Sequence, residues 1–366
     1  MTARIVLFGA TGYTGRRTAR EMAGRGLRPV LAGRDAARLA SLADELGGLP
    51  TATADVRDAA SVRALIGAGD VLVSTVGPFL QLGEAALTAA VQAGAIYLDS
   101  TGEAPFIRRV FEEFGPSATR TGASLLTAFG NDYVPGNLAG ALALRSAGDS
   151  VHRVETAYYI TGVGRGQAFS RGTFMSLLEV AGEPAFTWRG GIRREPTGAR
   201  MRTFSVAGRA RPALTIGSTE QYALPRLNPE LREVDVYLGW FGPATRVLHL
   251  SARVTPVLRR LPGSGALLRR VGGLVAGRVA EEPDAAALAR LTSHFLGAAY
   301  DERGTPLAEV RLVAADPYQL TAGLLAWGAD HAAEHGVRGP GALGPVDAFG
   351  LDVLAAGAAE IGLRVA

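Results

Sequence analysis

The feature that most constrains the fold is a regular alternation of short, largely apolar segments with helical segments over the first 130 residues. Apolar segments of four or five residues, bounded by glycine or polar residues, are typical of buried parallel strands. Six such strands are predicted, at residues 5–8, 29–33, 51–54, 71–75, 96–99 and 124–128. Their alternation with helices predicts an α/β fold with a doubly wound parallel sheet of the Rossmann type.

A glycine-rich turn joins the first strand to the first helix. Its glycines follow a G-x-x-G-x-x-G spacing, and its candidate residues are Gly9, Thr11, Gly12, Tyr13, Thr14 and Gly15. Glycine lets the backbone approach a pyrophosphate, and the N-terminus of the following helix favours negative charge. The spacing alone would also fit a tight turn without a ligand, but a place between strand and helix in a βα series supports a ligand. We therefore predict that this turn binds a dinucleotide.

The end of the second strand discriminates between the two nicotinamide dinucleotides. An acidic residue at this position would accept a hydrogen bond from the ribose 2′-hydroxyl of NAD, but Arg34 stands first here. A guanidinium can bind the 2′-phosphate of NADP, so Arg34, with Arg38 one turn later, predicts NADP(H). The alternative is that Arg34 is a solvated loop residue. Asp55 ends the third strand, where it could bind the adenine amino group or cap a helix.

Three further segments end strands at the same edge of the predicted sheet, where ligands of such sheets bind. The turn after the fourth strand is expected beside the nicotinamide ribose and comprises Val76, Gly77, Pro78 and Phe79. Thr101 and Gly102 follow the fifth strand and are also expected to contact the cofactor. The segment after the sixth strand, residues 130–135, is expected to meet the nicotinamide and the substrate.

Hydride transfer requires the protein to place the nicotinamide against its acceptor and to supply a proton donor. Tyr133 and Asp132 are the favoured catalytic candidates, although Asp132 could cap a turn and Tyr133 could serve only in packing. The remaining candidates for proton transfer are Glu103, Tyr158, Tyr159 and His249.

The composition excludes several mechanisms. All 38 basic residues are arginine and cysteine is absent, so lysine Schiff bases, thiolate catalysis and cysteine metal sites cannot occur. His331 and His335 stand four residues apart without a zinc motif, so no metal is expected. A net charge of +4 is too small to favour nucleic acid. We also expect neither a signal peptide nor a membrane-spanning helix, and a cytoplasmic location.

The pattern changes after residue 134. Longer segments with polar alternation, at residues 154–161, 203–206 and 233–238, predict an α+β substrate domain with a mixed or antiparallel sheet over residues 135–317. Residues 1–134 form the predicted NADP-binding domain, and residues 318–366 are expected to pack back on it. Within these segments we expect loops at 164–172 and 188–198, and helices at 284–300 and 317–335.

Several stretches resemble the saccharopine dehydrogenase-like oxidoreductase family. They are GATGYTGR (9–16), LAGRD (31–35), STVGPFLQLGEAALTAAVQAGAIYLDSTGE (74–103), GNDYVPGNLAG (130–140), GTFMSLLE (172–179) and DPYQLTAGLLAWGADHA (316–332). Within the family, the trans-acting enoyl reductases of actinobacterial lipid and polyketide assembly look most similar. The resemblance implies a Rossmann domain, a mixed-sheet substrate domain, a C-terminal return to the first domain, and NADP(H). It does not fix the reaction, because residues 185–300 are the least similar.

The leading hypothesis is an NADPH-dependent reductase of an enoyl, imine or carbonyl group in specialised, polyketide or lipid metabolism, acting on a small or carrier-bound substrate. One alternative is a non-catalytic NADP-binding sensor. Another is a saccharopine-type amino-acid dehydrogenase, which would need an arginine such as Arg165 or Arg171 to bind the substrate carboxylate.

An arginine-rich segment, residues 236–280, contains seven arginines and no acidic residue. Arg259, Arg260, Arg269 and Arg270 form two pairs within it. Such a segment could be a solvated face, could dock an acidic acyl carrier protein, or could contact a membrane surface. A homodimer also remains open.

Overall fold

The computed structural model describes residues 3–163, 171, 176, 183–242, 245–246, 248–250 and 282–366. Two compact units can be distinguished. The first comprises Met1–Gly102, Phe106–Val134 and Pro317–Gly362, and the second comprises Glu103–Pro105, Pro135–Asp316 and Leu363–Ala366. The domain boundaries expected from the sequence stay a prediction, because compactness does not show that either unit folds alone.

The secondary structure of the described residues is numbered in chain order. The strands are β1 (Ile5–Phe8), β2 (Val30–Gly33), β3 (Thr51–Thr53), β4 (Val71–Ser74), β5 (Ile96–Asp99), β6 (Ser124–Leu126), β7 (Arg153–Thr161), β8 (Pro184–Arg189), β9 (Ile192–Pro196), β10 (Met201–Val206), β11 (Arg209–Ile216), β12 (Glu233–Leu238), β13 (Thr292–Tyr300), β14 (Pro306–Ala314), β15 (Gly341–Ala342) and β16 (Arg364–Val365). The α-helices are α1 (Tyr13–Gly24), α2 (Ala36–Glu45), α3 (Ala59–Arg63), α4 (Phe79–Leu82), α5 (Glu84–Ala93), α6 (Ala104–Arg109), α7 (Gly115–Thr121), α8 (Val134–Ala147), α9 (Glu220–Leu227), α10 (Ala285–Leu288), α11 (Pro317–His335), α12 (Pro345–Phe349) and α13 (Leu351–Glu360).

The first unit is built on a seven-stranded sheet in the order β15-β6-β5-β4-β1-β2-β3, and its neighbouring strands are parallel. Apart from the short β15, this is the Rossmann order, which reverses between β1 and β4. Every residue of β1 and of β4 is buried, which explains their nearly continuous apolar sequence. The α/β fold with a doubly wound parallel sheet is therefore confirmed.

Helix ends in this unit follow from local chemistry. The carboxylates of Asp35 and Asp58 cap α2 and α3 by accepting backbone hydrogen bonds. Gly94 and Gly122 end α5 and α7 in the left-handed conformation, with φ of 67° and 81°. These helix ends keep the αβ connections to β5 and β6 short, and the parallel pairing of the strands brings their carboxyl ends to one edge.

The second unit contains a nine-stranded sheet with the main order β10-β11-β12-β7-β13-β14-β16, in which β8 pairs with β12 and β9 pairs with β8. The pair β12–β7 is parallel, and the other pairs are antiparallel. The sheet is thus mixed, as predicted. On one of its faces α8 and α9 pack closely: a Cβ added to Gly140 would lie 2.7 Å from the side chain of Leu224.

Two secondary-structure predictions were wrong in this unit. Residues 284–300, expected to be a helix, contain the four-residue α10 and then β13, which pairs with both β7 and β14. Residues 188–198, expected to be a loop, belong largely to the β8–β9 hairpin, whose turn is formed by Gly190 and Gly191 with φ of 63° and 156°. The loop expected at 164–172 lies outside the described residues except for Arg171. The helix expected at 317–335 is confirmed as α11.

Candidate functional site

In the glycine-rich turn after β1, glycine is favoured at each position for a different physical reason. Gly9 has φ of +88°, and a Cβ there would lie 2.8 Å from both Thr75 Oγ1 and Val76 Cγ2. A Cβ on Gly15 would lie 2.1 Å from the carbonyl oxygen of Gly9, so Gly15 permits the close approach of α1 to the turn. Around Gly12, by contrast, the nearest atom would be 3.4 Å away. The fold therefore does not fill the space at Gly12, which is where a bound pyrophosphate is expected.

The N-terminus of α1 is not capped by a side chain. Gly12 precedes the helix, and no acidic residue lies in its first turn. The N–H groups at a helix start lack partners within the helix, and the helix dipole adds positive potential there. Thr11, Tyr13 and Thr14 are part of this turn, which has the donor set and the sign of charge that bind a phosphate.

At the end of β2 the positive charge of arginine side chains is available to a ligand, because the neighbouring carboxylate is already engaged. The carboxylate of Asp35 is engaged as the cap of α2, accepting from the backbone N–H of Arg38 at 3.0 Å. Arg34 is exposed and makes no hydrogen bond or ion pair with the described residues. The Arg38 guanidinium donates to the carbonyl of Thr11 at 3.3 Å, which places it beside the glycine turn. Two guanidinium groups thus lie at the strand end where a 2′-phosphate is bound in this fold.

Asp55 has a local structural partner. Its Oδ1 accepts from the backbone N–H of Arg57 at 2.9 Å, and its own N–H donates to Ser61 Oγ at 3.1 Å. Asp58, rather than Asp55, caps the following helix. The adenine contact expected for Asp55 stays a prediction.

The turn after β4 supports the glycine turn from its neighbour strand. The backbone N–H of Thr75 donates to the carbonyl of Phe8, and its hydroxyl donates to the carbonyl of Gly9 at 3.1 Å. Pro78 starts α4, and the buried ring of Phe79 packs on Phe106 with ring centres 5.7 Å apart. Phe79 therefore anchors this turn, whereas Gly77 is exposed at its surface.

A buried carboxylate that sequence reasoning did not select, Asp99, joins the turns after β5 and β6. Its Oδ1 accepts from the backbone N–H groups of Thr101 and Ala128, each at 2.9 Å, and its Oδ2 accepts from Thr127 Oγ1 at 2.8 Å. Burial raises the pKa of Asp99 to about 6, and these hydrogen bonds to the carboxylate oppose the rise. The signal in the sequence was an acidic residue at the last position of a buried strand.

The segment after β6 brings the two predicted catalytic residues next to Gly102. Asp132 Oδ1 accepts from Asn131 Nδ2 at 2.9 Å, and a Cβ on Gly102 would lie 3.4 Å from Asp132 Oδ2. The surrounding protein removes water from this carboxyl and raises its pKa to about 6. The Tyr133 hydroxyl donates to the carbonyl of Gly102 at 3.2 Å and is buried. Asp132, Tyr133 and Gly102, predicted separately, thus lie together.

Asn131 adds an unused acceptor to this group. Its backbone N–H donates to Thr321 Oγ1 at 3.1 Å, while its buried Oδ1 has no hydrogen-bond partner among the described residues. Since buried polar atoms are nearly always paired, an acceptor without a partner beside Asp132 is suited to a donor group of a ligand.

The other candidates for proton transfer lie in the second unit and each has a protein partner. The fully buried Tyr158 hydroxyl donates to the carboxylate of Glu220, which also accepts from Ser218 Oγ at 2.6 Å. Burial raises the pKa of Glu220 to about 7. The Tyr159 hydroxyl donates to the carbonyl of Arg211 at 3.0 Å, and the Glu103 carboxylate accepts from Ser176 Oγ at 2.7 Å. His249 Nδ1 lies 2.7 Å from the carbonyl oxygen of Gly198.

The structure also bears on metal binding, membrane-spanning helices and the arginine-rich segment. Among the described residues, no group of three or more His, Cys, Asp or Glu could hold a metal ion. The ring of His331 stacks on Trp327. Over the same part of the chain, every helix is too short or too polar to cross a membrane. Arg259, Arg260, Arg269 and Arg270 lie outside the described residues, as does Arg165.

Residues 5–125 match the family described as the saccharopine dehydrogenase NADP-binding domain. A Mycobacterium tuberculosis protein, provisionally named a trans-acting enoyl reductase, is 35% identical over 183 residues, covering 48% of this chain and 43% of that protein. The trans-acting enoyl reductase of Mycobacterium ulcerans is 36% identical over 140 residues, covering 37% and 34%. The matched part therefore spans less than half of these curated relatives.

A solved structure is similar over the whole length of the chain. It is apo histidine-tagged saccharopine dehydrogenase (L-Glu forming) from Saccharomyces cerevisiae, with a TM-score of 0.61, 14% identity, and coverage of 100% of this chain and 99% of that chain. At this identity the likeness shows the fold alone.

The match over residues 5–125 and the parallel sheet of the first unit together identify an NADP-binding domain in this chain. More narrowly, residues 5–125 are similar to the NADP-binding domain of saccharopine dehydrogenase. The resemblance found in the sequence is thereby confirmed, as is NADP(H) as the cofactor.

Proposed function

We propose that this chain is an NADPH-dependent reductase that adds a hydride and a proton to an enoyl, imine or carbonyl group. The observation that carries the proposal is that one sheet holds two complementary features at the carboxyl ends of its strands. The turn after β1 presents open space at Gly12 and uncapped helix donors, and the turn after β6 presents Asp132 beside Gly102. In a Rossmann sheet the turn after β1 serves the pyrophosphate at the middle of the dinucleotide, and turns after later strands serve its nicotinamide end.

The cofactor residues we propose are those predicted from the sequence. The glycine turn (Gly9, Thr11, Gly12, Tyr13, Thr14 and Gly15) holds the pyrophosphate through backbone donors, and Arg34 binds the 2′-phosphate. Asp55 is assigned to the adenine side. The nicotinamide side is assigned to Val76, Gly77, Pro78, Phe79, Thr101 and Gly102. When bound, NADPH supplies the hydride to the acceptor.

Asp132 is proposed as the proton donor. The residue is half-buried, and the raised pKa of about 6 keeps a substantial acid fraction at mildly acidic pH. The acceptor carbon gains the hydride, its neighbouring atom gains the Asp132 proton, and Asp132 regains a proton from solvent. Tyr133 was predicted beside it, but its hydroxyl proton is directed to the carbonyl of Gly102, which favours a supporting role for Tyr133.

An enoyl thioester is the acceptor that the relatives favour. The two mycobacterial relatives are named for enoyl reduction in trans, which suggests that their substrate is presented by another protein. For this chain we propose an α,β-unsaturated thioester attached to a carrier protein, in specialised, polyketide or lipid metabolism. The saccharopine-type alternative would need a carboxylate-binding arginine, and of the two candidates, Arg165 and Arg171, the structure describes only Arg171.

NADPH consumption tests the proposal directly. The nicotinamide absorbance is followed while the protein is given an α,β-unsaturated thioester, a ketone and an imine, each with NADPH. Consumption with at least one acceptor supports a reductase, and the acceptor that reacts identifies the class. If NADPH binds but no acceptor causes its oxidation, the non-catalytic sensor becomes the better account.

A further inference from the structure

The strands β8 to β11 of the second unit carry a concentration of positive charge. Residues 184–216 contain seven of the chain's 38 arginines but only one of its 34 acidic residues. Arginine is common throughout this chain, yet elsewhere acidic residues slightly outnumber it. The local excess therefore exceeds what general arginine usage explains.

Six of these arginines share one face of the mixed sheet, which we call the arginine face: Arg189, Arg193, Arg200, Arg202, Arg209 and Arg211. Register and contacts establish the face. Arg189 and Arg200 both donate to Asp235, and Asp235 stands directly beside Glu155, which binds Arg202. Arg193 is paired in register with Thr187, whose hydroxyl also contacts Asp235.

The seventh arginine, Arg194, lies on the opposite face. It is paired in register with Phe186, and the Phe186 ring packs against Tyr222 of α9 at 5.2 Å. Side chains alternate between the two faces along a strand, so neighbours Arg193 and Arg194 project in opposite directions. Both are exposed, and neither has an ion-pair partner among the described residues.

The charges on the arginine face are layered. The carboxylates lie beneath, with 6% of the Asp235 side chain and 2% of the Glu155 side chain exposed, whereas 38% of Arg200 and 35% of Arg202 is exposed. The guanidinium of Arg202 also lies over the rings of Phe204 and Tyr300, at 5.3 and 5.2 Å from their centres. The buried acids and rings thus hold the guanidinium groups in place while leaving positive charge outermost.

Two exposed arginines on this face, Arg193 and Arg209, have no neutralising partner among the described residues. Exposed guanidinium groups with free donors match carboxylates in a bidentate manner. A long polyphosphate backbone fits less well, because outside residues 184–216 the arginines are balanced by acidic residues, so the positive charge does not continue beyond this face.

We propose that the arginine face docks an acidic protein, namely the carrier that presents the thioester substrate. This inference rests on the proposed function, which requires a substrate delivered by another protein. Complementary charge raises association rates by about 10- to 1000-fold and is weakened by salt. The face would therefore act on delivery of the substrate and leave the chemistry of a small substrate unchanged.

The test is a double variant of the arginine face, Arg193→Glu with Arg209→Glu. The control is a second double variant, Arg194→Glu with Arg63→Glu, which changes the net charge by the same amount away from that face. Arg63 is exposed and also lacks an ion-pair partner among the described residues. Binding of an acyl carrier protein loaded with an α,β-unsaturated thioester is measured at low and high salt. NADPH oxidation is measured with that carrier and with a small thioester of the same acyl group.

We expect the first pair to weaken carrier binding about tenfold or more at low salt, to lose most of that effect at high salt, and to leave the small thioester unaffected. The control pair should bind the carrier like the wild type. Equal losses in both pairs, no loss in the first pair, or a wild type that does not bind the carrier would overturn the proposal.

Further outcomes separate this inference from the proposed function and from other partners. Arginine-dependent carrier binding without any NADPH oxidation would sink the proposed reductase but keep the docking face. Two results would show that the face serves another partner and would overturn the carrier proposal. One is that the first pair of substitutions converts a dimer to a monomer in sedimentation experiments. The other is that it abolishes binding to phosphatidylglycerol vesicles while carrier binding persists.

Discussion

The glycine turn allows a prediction in which folding and cofactor binding separate. At Gly12 the backbone has φ of −74° and ψ of 168°, which alanine adopts freely, and the nearest atom to a new Cβ is 3.4 Å away. Gly12→Ala should therefore change the free energy of unfolding by less than about 1 kcal/mol. At Gly15 a new Cβ would meet the Gly9 carbonyl oxygen at 2.1 Å, so Gly15→Ala should destabilise the fold by about 1–3 kcal/mol.

For NADPH affinity we expect the opposite order, with the larger direct effect at Gly12. A methyl group at Gly12 occupies the place of the pyrophosphate and should remove at least one charge-assisted hydrogen bond, which is worth about 1.5–3 kcal/mol. That corresponds to a dissociation constant roughly 10- to 150-fold higher for Gly12→Ala. Thermal unfolding without cofactor measures the stability, and titration of NADPH fluorescence measures the affinity.

The contrast between the two glycines is what can refute the reasoning. If Gly12→Ala binds NADPH like the wild type while folding normally, the pyrophosphate does not lie over Gly12. A Gly12→Ala variant as unstable as Gly15→Ala would show that the open space at Gly12 is filled by the protein itself.

Three further predictions follow from charges in the two units. Arg34→Ala should weaken NADPH binding by about 1.5–3 kcal/mol and leave NADH binding nearly unchanged, and equal losses for both cofactors in titration would contradict the 2′-phosphate assignment. Asp132→Asn should lower kcat with little change in the dissociation constant of NADPH. The wild-type rate should fall as pH rises above about 6, because the acid form of Asp132 is lost there. A pH-independent wild-type rate would exclude Asp132 as the donor. The pKa of Glu220 is raised from 4.5 to about 7 in the fold, so its stabilising contribution is full below pH 4.5 and is lost as pH rises through 7. Relative to wild type, Glu220→Gln should flatten the pH dependence of unfolding over that window by up to about 3 kcal/mol in urea titrations, and parallel curves would contradict this.

The βα units were predictable because their signals are local. Each buried strand is a short apolar run, and the glycine turn, Arg34 and Asp132 follow strand ends that the pattern marks. Parallel strands place those ends at one edge, so part of the site could be predicted before any contact was known.

The error at residues 284–300 and the omitted carboxylates depend on partners distant in the chain. Residues 284–300 are rich in alanine and leucine and favour a helix, but β13 is fixed between β7 and β14, and this pairing overrides local preference. Asp99 receives its hydrogen bonds partly from Thr127 and Ala128, and Glu220 receives one from Tyr158. No sequence spacing reveals that a carboxylate will be buried against such partners.

The central claim, that this chain catalyses hydride transfer from NADPH, is tested most directly by following the hydride itself. NADPH carrying deuterium at the transferable position of the nicotinamide is incubated with the protein and an α,β-unsaturated thioester, and the product is examined by mass spectrometry and NMR. The account predicts a saturated thioester with one deuterium at the carbon β to the carbonyl and a solvent-derived proton at the neighbouring carbon. Recovery of unreacted thioester together with bound, unoxidised NADPH would contradict it.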